Sequence, residues 1–332
     1  MRRRKSHITD EEIMGMVRAQ RPPQPARERS EMLTSRAIVR YAETPRREPF
    51  QLQLRTTLKW ATRTGAALVV VGLLLPSANA TASPATPGPL SIDNTSTTPA
   101  DEYLLDLAKR VEQRSEPTST GPYTYTRVQV WGLETGDEQS DGVNARDQRL
   151  WWRTDRSAVS IDTPLPPQPP GRRRAEWTQA LPEKAANPVL NPPGTFSPLL
   201  AGLPGRTRET MREQLERGQR NLPAEQIVRR AAQLCEYYVL DPAQRAAQLR
   251  MLADTPGLIF RGRTDDRAGR AGAVVSVDSD GDHLRDILVF DDATGELLSL
   301  ERVTLKARDG VPANTVIAYF IFLEHSRVDR AG

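Results

Sequence analysis

The apolar run at residues 63–80 constrains this chain more than any other feature, because it decides which side of a membrane the following residues occupy. Its centre, residues 66–75, is uninterrupted apolar sequence of ten residues, whereas a helix needs about 20 to cross a bilayer. The flanks lengthen the run, since Arg63 is the only charged residue between positions 60 and 82. The pattern predicts one transmembrane signal anchor over residues 59–82.

Charge is distributed unevenly about this run. Residues 1–63 contain 15 Lys and Arg against 7 Asp and Glu, whereas the whole chain has a net charge of +4. After the run, no Lys or Arg occurs before Lys109. Because basic flanks stay on the cytoplasmic side of a membrane, we expect a single-pass protein of the cell membrane. Its N-terminus would be cytoplasmic and its C-terminal domain extracytoplasmic.

Two other interpretations of the run remain open. The triplet Ala78-Asn79-Ala80 has the small-x-small pattern of a signal-peptidase site, so the segment could be a signal peptide cleaved after Ala80. Alternatively, a short apolar run is compatible with a helix in a protein core.

The basic head, residues 1–58, contains short amphipathic helical patterns. Ile13, Met16 and Val17 follow helical spacing and form one apolar stripe. This stripe is too small to fold alone, so we expect it to need a partner or a lipid surface. One hypothesis is attraction to anionic lipid, and the other is docking to a cytoplasmic regulatory protein. Direct nucleic-acid binding is not expected, because acids interrupt the basic residues and no recognised motif is present.

The remainder of the chain is predicted to be a Pro/Ser/Thr-rich linker at 83–100 and an extracytoplasmic domain at 101–332. The domain contains patterns of both helix and strand. Helical patterns occupy residues 100–116, 207–219, 222–240 and 241–257, and strand patterns occupy 123–132, 148–161, 257–263, 272–278, 286–290, 296–305 and 315–325. The predicted fold class is therefore α+β: a cytoplasmic helical head, one transmembrane helix, and a mainly antiparallel extracytoplasmic sheet with helices packed on one face.

Three sequence segments carry a resemblance to a known family: TDEEIMGMVRAQRPP, DPAQRAAQLRMLADTPGL and GRAGAVVSVDSDGDHLRDILVFDDATGELLSLERV. The chain resembles an actinobacterial family of largely uncharacterised single-pass membrane proteins, often encoded beside extracytoplasmic-function sigma factors. The match covers the C-terminal half well and residues 115–205 only loosely. Its strongest positions are Pro242, Arg245, Ala246, Leu249, Leu252, Ala253, Pro256, Gly257, Phe290, Asp291, Thr294 and Gly295. The resemblance implies an extracytoplasmic α+β domain and an anti-sigma-like role, and it supplies no catalytic residues.

The sequence contains no recognised catalytic or metal-binding motif. The segment DSDGD at 278–282 imitates the start of a calcium loop, but His283 stands where such a loop needs Gly and Val289 where it needs Glu. A polar hairpin turn is the favoured interpretation. Cys235 is the only cysteine, so no intramolecular disulfide can form, and its helical context predicts a small core residue. We expect neither a cofactor nor a bound metal.

Two function classes remain. The first is a membrane-anchored, non-enzymatic regulatory or sensor protein, anti-sigma-like, that couples its outer domain to a cytoplasmic partner such as a sigma factor through residues 1–58. The alternative is an extracytoplasmic module that binds a lipid or another apolar ligand. The amphipathic head favours the first class, whereas an apolar cavity in the fold would favour the second.

Overall fold

The computed structural model describes residues 86–331 except 94–96, 116–118, 135–141, 166–186, 220, 280, 282 and 308–310. These described residues form four helices and nine strands. The helices are α1 (Ala100–Glu112), α2 (Arg208–Glu216), α3 (Ala224–Tyr237) and α4 (Pro242–Ala253). The strands are β1 (Tyr123–Glu134), β2 (Gly142–Trp152), β3 (Ala158–Pro164), β4 (Val189–Asn191), β5 (Leu258–Asp265), β6 (Ala271–Ser279), β7 (Leu284–Phe290), β8 (Leu297–Thr304) and β9 (Val316–Val328).

All nine strands belong to one antiparallel sheet in the order β4-β3-β2-β1-β9-β8-β7-β6-β5. Strands β1 to β4 form one meander and β5 to β9 form another. The two meanders join through the pairing of β1 with β9, in which Thr126 lies opposite His325. Helices α2, α3 and α4 lie between the two meanders in the chain, because they follow β4 and precede β5.

The predicted fold class, with its cytoplasmic helical head and transmembrane helix, is wrong for the described part of the chain. That part is dominated by the nine-stranded sheet, and none of its helices is long and apolar enough to cross a membrane. The physical reason is that the helices are too short and only partly apolar. The longest of them, α3, has 14 residues and buries only part of its surface, whereas a span needs about 20 apolar residues. The proposed head (1–58) and span (59–82) lie outside the described residues.

The same finding corrects the predicted localisation as a single-pass protein of the cell membrane, and with it the membrane-anchored signalling role that depended on a span. The predicted orientation rests on the basic residues upstream of position 63 and on the apolar run. Both features lie outside the described residues, so the domain provides no support for that topology.

The segment at 148–161, predicted as one long strand, is a hairpin. Strand β2 ends at Trp152 and β3 begins at Ala158. The Asp155 carboxylate accepts hydrogen bonds from both the backbone N–H and the hydroxyl of Ser157, at 2.9 and 2.6 Å, while Arg156 adopts a left-handed φ of 63°. A short polar turn of this kind reverses the chain without glycine, because an Asp side chain can organise the turn by itself.

Helix α4 begins as its sequence predicts. Asp241 is the N-cap and accepts a hydrogen bond from the Gln244 backbone, the Gln244 side chain bonds back to Asp241, and Pro242 occupies the first turn. This capping box satisfies two of the N–H groups left free at a helix start. The beginning of α4 is therefore fixed, which matters below because α4 supplies one wall of the candidate site.

Helix α3 packs directly on one face of the sheet. Thr126 on β1 donates a hydrogen bond to the Glu236 carbonyl at the end of α3, so the even-numbered side chains of β1 lie under this helix. Alternation along a strand places Trp131 on the opposite face, where it stacks on Tyr319 with ring centroids 5.5 Å apart. The sheet therefore has buried side chains on both faces.

The face opposite α3 carries an apolar cluster and one buried ion pair. The cluster includes Trp131 and Tyr319, and Leu90 packs against it from the segment 86–93. Arg267 lies with its guanidinium 4.8 Å from the Tyr319 ring centre and donates to the Glu301 carboxylate at 2.7 Å. Burial raises the pKa of Glu301, and the adjacent cation opposes that effect.

The turn between β7 and β8 depends on Gly295. Its φ is +67°, and an added Cβ would lie 2.6 Å from Val111 on α1 and 3.0 Å from Leu249 on α4. The absence of a side chain lets the turn approach both helices. Gly269 offers a matched comparison, since its φ is +80° but nothing lies within 4 Å of an added Cβ.

We expect Gly295→Ala to destabilise the fold more than Gly269→Ala. Both substitutions put a side chain at a positive φ, but only the first also crowds a packed interface, which adds about 1–3 kcal/mol. The measurement is the free energy of unfolding in urea for both variants. Equal losses would mean that α1 and α4 do not pack against this turn as described.

Candidate functional site

The C-terminal end of α3 is held by side chains from three neighbouring strands. The last carbonyls of a helix have no partner within the helix and need one elsewhere. Here the sheet supplies one for each of three consecutive carbonyls. The bonds join His325 Nε2 to Cys235 O at 2.7 Å, Thr126 Oγ1 to Glu236 O at 2.7 Å, and Trp152 Nε1 to Tyr237 O at 2.5 Å.

Helix α4 fixes the connector that follows α3. Arg245 Nη1 donates to the carbonyl of Leu240, at 2.8 Å, and Gln248 Nε2 donates to the carbonyl of Ala231 on α3, also at 2.8 Å. The Tyr238 hydroxyl accepts from the backbone N–H of Leu200 at 2.9 Å. Residues 238–240 are thus hydrogen-bonded to α4 and to the loop before α2, which fixes the positions of the residues around the space beside them.

That space is a narrow recess with a cavity volume of about 20 Å³, partly open to solvent, between α3, α4 and the ends of β8 and β9. A cavity of about 10–15 Å³ holds one water molecule, so the recess has room for one small chemical group. Its lining combines apolar side chains with a few polar groups. The lining residues are Cys235, Tyr238, Val239, Leu240, Arg245, Gln248, Glu296, Leu297 and His325.

The ionisable groups of the recess differ in charge state. Burial, reinforced by the positive charges of Arg270 and Arg245, lowers the pKa of His325 to about 4, although its bond to the Cys235 carbonyl opposes that shift. Burial raises the pKa of the Cys235 thiol to about 12. Near neutral pH the imidazole and the thiol are therefore both uncharged. The charged groups lining the recess are Arg245 and Glu296, whose Nη1 and Oε1 atoms lie 3.4 Å apart.

This arrangement suits binding better than covalent chemistry. A thiol with a raised pKa holds little thiolate at neutral pH and is a poor nucleophile. Within the described ranges, no group of three or more His, Cys, Asp or Glu residues is placed to hold a metal ion. What the recess offers instead is apolar surface with polar groups at fixed positions, which is the usual composition of a small-molecule site.

The residues singled out from sequence do not form this site. Ile13, Met16 and Val17 lie outside the described residues, so the docking stripe stays a prediction. In the calcium-like segment, both carboxylate oxygens of Asp278 accept hydrogen bonds from Arg285, at 2.6 and 2.7 Å, in agreement with a polar turn.

Sequence reasoning missed the residues that build the recess. Cys235 was correctly predicted to be buried, but nothing indicated that it lies beside His325, 90 positions later. His325 stands in a strand pattern without a neighbouring metal-ligand motif. Arg245 belonged to the segment that carries the family resemblance, which assigned it no role. Their association arises from the pairing of β9 with β1 and cannot be read from local spacing.

We expect Thr126→Val to lower the free energy of unfolding by about 1–3 kcal/mol, because it removes the hydroxyl that donates to the part-buried Glu236 carbonyl. Thr195→Val is the control. Its hydroxyl also donates to a carbonyl, that of Pro192 at 2.7 Å, but in an exposed loop where water can replace it. Urea unfolding of both variants measures the difference, and equal effects would contradict the capping role of Thr126.

We expect His325 to make stability depend on pH. Its pKa is about 4 in the folded protein against 6.5 without the fold, so the unfolded chain binds the proton more readily. Stability from the neutral imidazole is complete above pH 6.5 and declines as pH falls toward 4. His325→Gln, which keeps a donor, should lose about 2 kcal/mol less than wild type between pH 7 and pH 4.5. Urea unfolding at both pH values is the measurement, and parallel profiles would contradict this assignment.

Comparisons with solved structures include two weak likenesses. No family model and no curated protein matches the chain. A DUF1329 family protein from Desulfovibrio piger is 13% identical, with 69% of this chain and 94% of that chain covered and a TM-score of 0.22. A LolA superfamily protein from Nitrosomonas europaea is 8% identical, with 71% and 96% covered and a TM-score of 0.19. Because both TM-scores are below 0.5, neither likeness supports a conclusion about this chain, and the resemblance to the actinobacterial family stays a prediction.

Proposed function

We propose that the domain formed by the described residues is a non-enzymatic binding module for an apolar ligand, and that the ligand places one small apolar group in the recess between α3, α4, β8 and β9. This is the alternative that the sequence left open. The observation that carries the proposal is the recess itself, which is open to solvent and lined by Tyr238, Val239, Leu240 and Leu297.

Hydrogen bonds within the protein hold the residues around the recess in place without a ligand. Thr126 and His325 anchor the end of α3 to the sheet, while Arg245 and Gln248 anchor the start of α4 to the connector and to α3. A site built from side chains already held in place loses less entropy on binding than a site on loose loops.

The polar groups of the recess give orientation rather than reactivity. Gln248 already donates to a backbone carbonyl, and the thiol of Cys235 and the imidazole of His325 are uncharged near neutral pH. An apolar group entering the recess therefore meets mainly uncharged surface. The free energy of binding would come from apolar area removed from water, at about 25 cal/mol per Å².

We expect the full chain to bind the uncharged fluorophore N-phenyl-1-naphthylamine, with an increase in its fluorescence. Val239→Trp should weaken this binding about tenfold or more. Val239 lines the recess and is partly exposed to solvent, so an indole there would cover the mouth of the recess, which the probe must contact. A tenfold change corresponds to about 1.4 kcal/mol, within the burial free energy of one apolar group.

The control variant is Leu203→Trp, which adds the same side chain at a position 60% exposed and absent from the lining of the recess. Urea unfolding would establish that both variants fold. Equal probe affinity in the two variants would show that the recess is not the binding site, and no binding to the wild-type protein would remove the proposal altogether.

A further inference from the structure

Strand β5 contains an irregularity that sets the position of one arginine. In the pairing of β5 with β6, Phe260 and Gly262 lie opposite two successive residues of β6, so Arg261 between them is the extra residue of a β-bulge. Gly262 adopts a positive φ of 99°, a conformation that glycine allows at little cost. A bulge redirects the side chains near it and is frequent beside functional sites.

The bulge brings Arg261 to a polar group on the sheet face opposite α3. Arg261 Nε donates to the hydroxyl of Ser276, on β6, at 3.0 Å. Ser276 is buried and shares its face with Val274 of the apolar cluster, because side chains two positions apart on a strand point the same way. Within the described ranges, the two terminal nitrogens of Arg261 have no protein acceptor. The guanidinium is therefore held by one nitrogen, and its other donors remain available.

The neighbouring carboxylate does not neutralise Arg261. Asp278, two positions after Ser276, accepts hydrogen bonds from Arg285 with both of its oxygens, at 2.6 and 2.7 Å. Among the residues that the structure describes, no carboxylate lies within 4.0 Å of the Arg261 guanidinium. Two arginines thus share one carboxylate, and the cluster of Arg261, Asp278 and Arg285 has a net charge of +1.

The surroundings of Arg261 disfavour its positive charge. Burial, followed by the cation of Arg285, lowers the pKa of Arg261, and Asp278 opposes this shift only in part. On the same face, Arg267 is compensated by Glu301 at 2.7 Å. An anion bound beside Arg261 would supply the charge that Glu301 supplies to Arg267.

The cluster is accessible from solvent at the edge of the sheet. Strand β5 is the outermost strand, and Arg261 on it is half-buried. The side chains of Arg285 and Asp278 are 26% and 25% exposed. A charged group can therefore approach Arg261 without any rearrangement of the apolar cluster beside it.

We propose that Arg261 and Arg285 form a binding site for a phosphate group, and that Ser276 positions the Arg261 guanidinium for it. The two terminal nitrogens of Arg261 would donate to two phosphate oxygens, a bidentate geometry that a guanidinium provides and an ammonium does not. A phosphate has further oxygens that can face Arg285 at the same time, whereas one guanidinium fork already occupies both oxygens of a carboxylate. The site lies on the face opposite α3 and does not rest on the function proposed for the recess.

The test is isothermal titration calorimetry of the full chain with inorganic phosphate, in chloride buffer at constant ionic strength, since salt screens exposed charges. We expect Arg261→Gln to weaken phosphate binding about tenfold or more, which corresponds to about 1.4 kcal/mol. Arg261→Lys should retain part of the affinity, because it keeps the charge and loses the fork. Asp278→Asn should strengthen binding, because it removes the carboxylate that competes for Arg285.

Arg153→Gln is the matched control. It removes the same charge from a side chain that is 44% exposed and pairs with Asp155 at 3.8 Å, directly after β2 in the other meander. Its phosphate affinity should stay within about twofold of wild type. Equal losses in Arg153→Gln and Arg261→Gln would show general surface attraction and overturn the site, as would a wild-type protein that does not bind phosphate. Urea unfolding shows whether the variants fold, and if Arg261→Gln does not, an unchanged or weaker affinity in Asp278→Asn overturns the proposal.

The phosphate group can belong to a soluble molecule or to a lipid headgroup, and cosedimentation with phosphatidylglycerol vesicles distinguishes these sources. Cosedimentation that is lost in Arg261→Gln and kept in Arg153→Gln would identify a lipid headgroup as the ligand. Cosedimentation that is absent, or equal in wild type and Arg261→Gln, together with binding of inorganic phosphate, would identify a soluble phosphate group.

Discussion

The end of helix α3 is the constraint on which the rest of the described domain depends. A helix that stops against a sheet brings unpaired carbonyls into a place that water reaches poorly, and each costs free energy unless a donor meets it. Strands β9, β1 and β2 are adjacent in the sheet, and each provides one donor to one of three successive carbonyls. The helix is thereby fixed in its position along the sheet as well as in its orientation, and the direction in which the chain leaves it is also determined.

The recess exists because the direction in which the chain leaves α3 is fixed. The connector 238–240 is too short to move far, and α4 starts immediately after it with a capping box at Asp241. Because α4 turns back beside α3, its first turns face the connector across a narrow space. Arg245 belongs to those turns. The same contacts that terminate one helix and begin the next therefore place a cation beside an apolar wall.

Local features were predictable from sequence and distant associations were not. The start of α4 at Asp241 and Pro242, and the turn between Phe290 and Leu297, follow from capping and turn chemistry that acts within a few residues. The turn at Asp155 could not be predicted, because it contains no glycine or proline. The apolar run at 63–80 dominated the predicted architecture, yet the described domain is organised by a sheet whose order depends on pairings between remote strands.

The central pairing of β1 with β9 also shapes how the domain is synthesised. Strand β1 leaves the ribosome roughly 190 residues before β9, which at about 5–20 residues per second is a delay of roughly 10–40 s. During that interval β2 can protect one edge of β1, while the other edge, with its buried positions Val128 and Val130, stays open to pairing with foreign strands. The nascent chain is therefore most vulnerable to aggregation just before its last strand emerges, and a chaperone that shields β1 would act in that window.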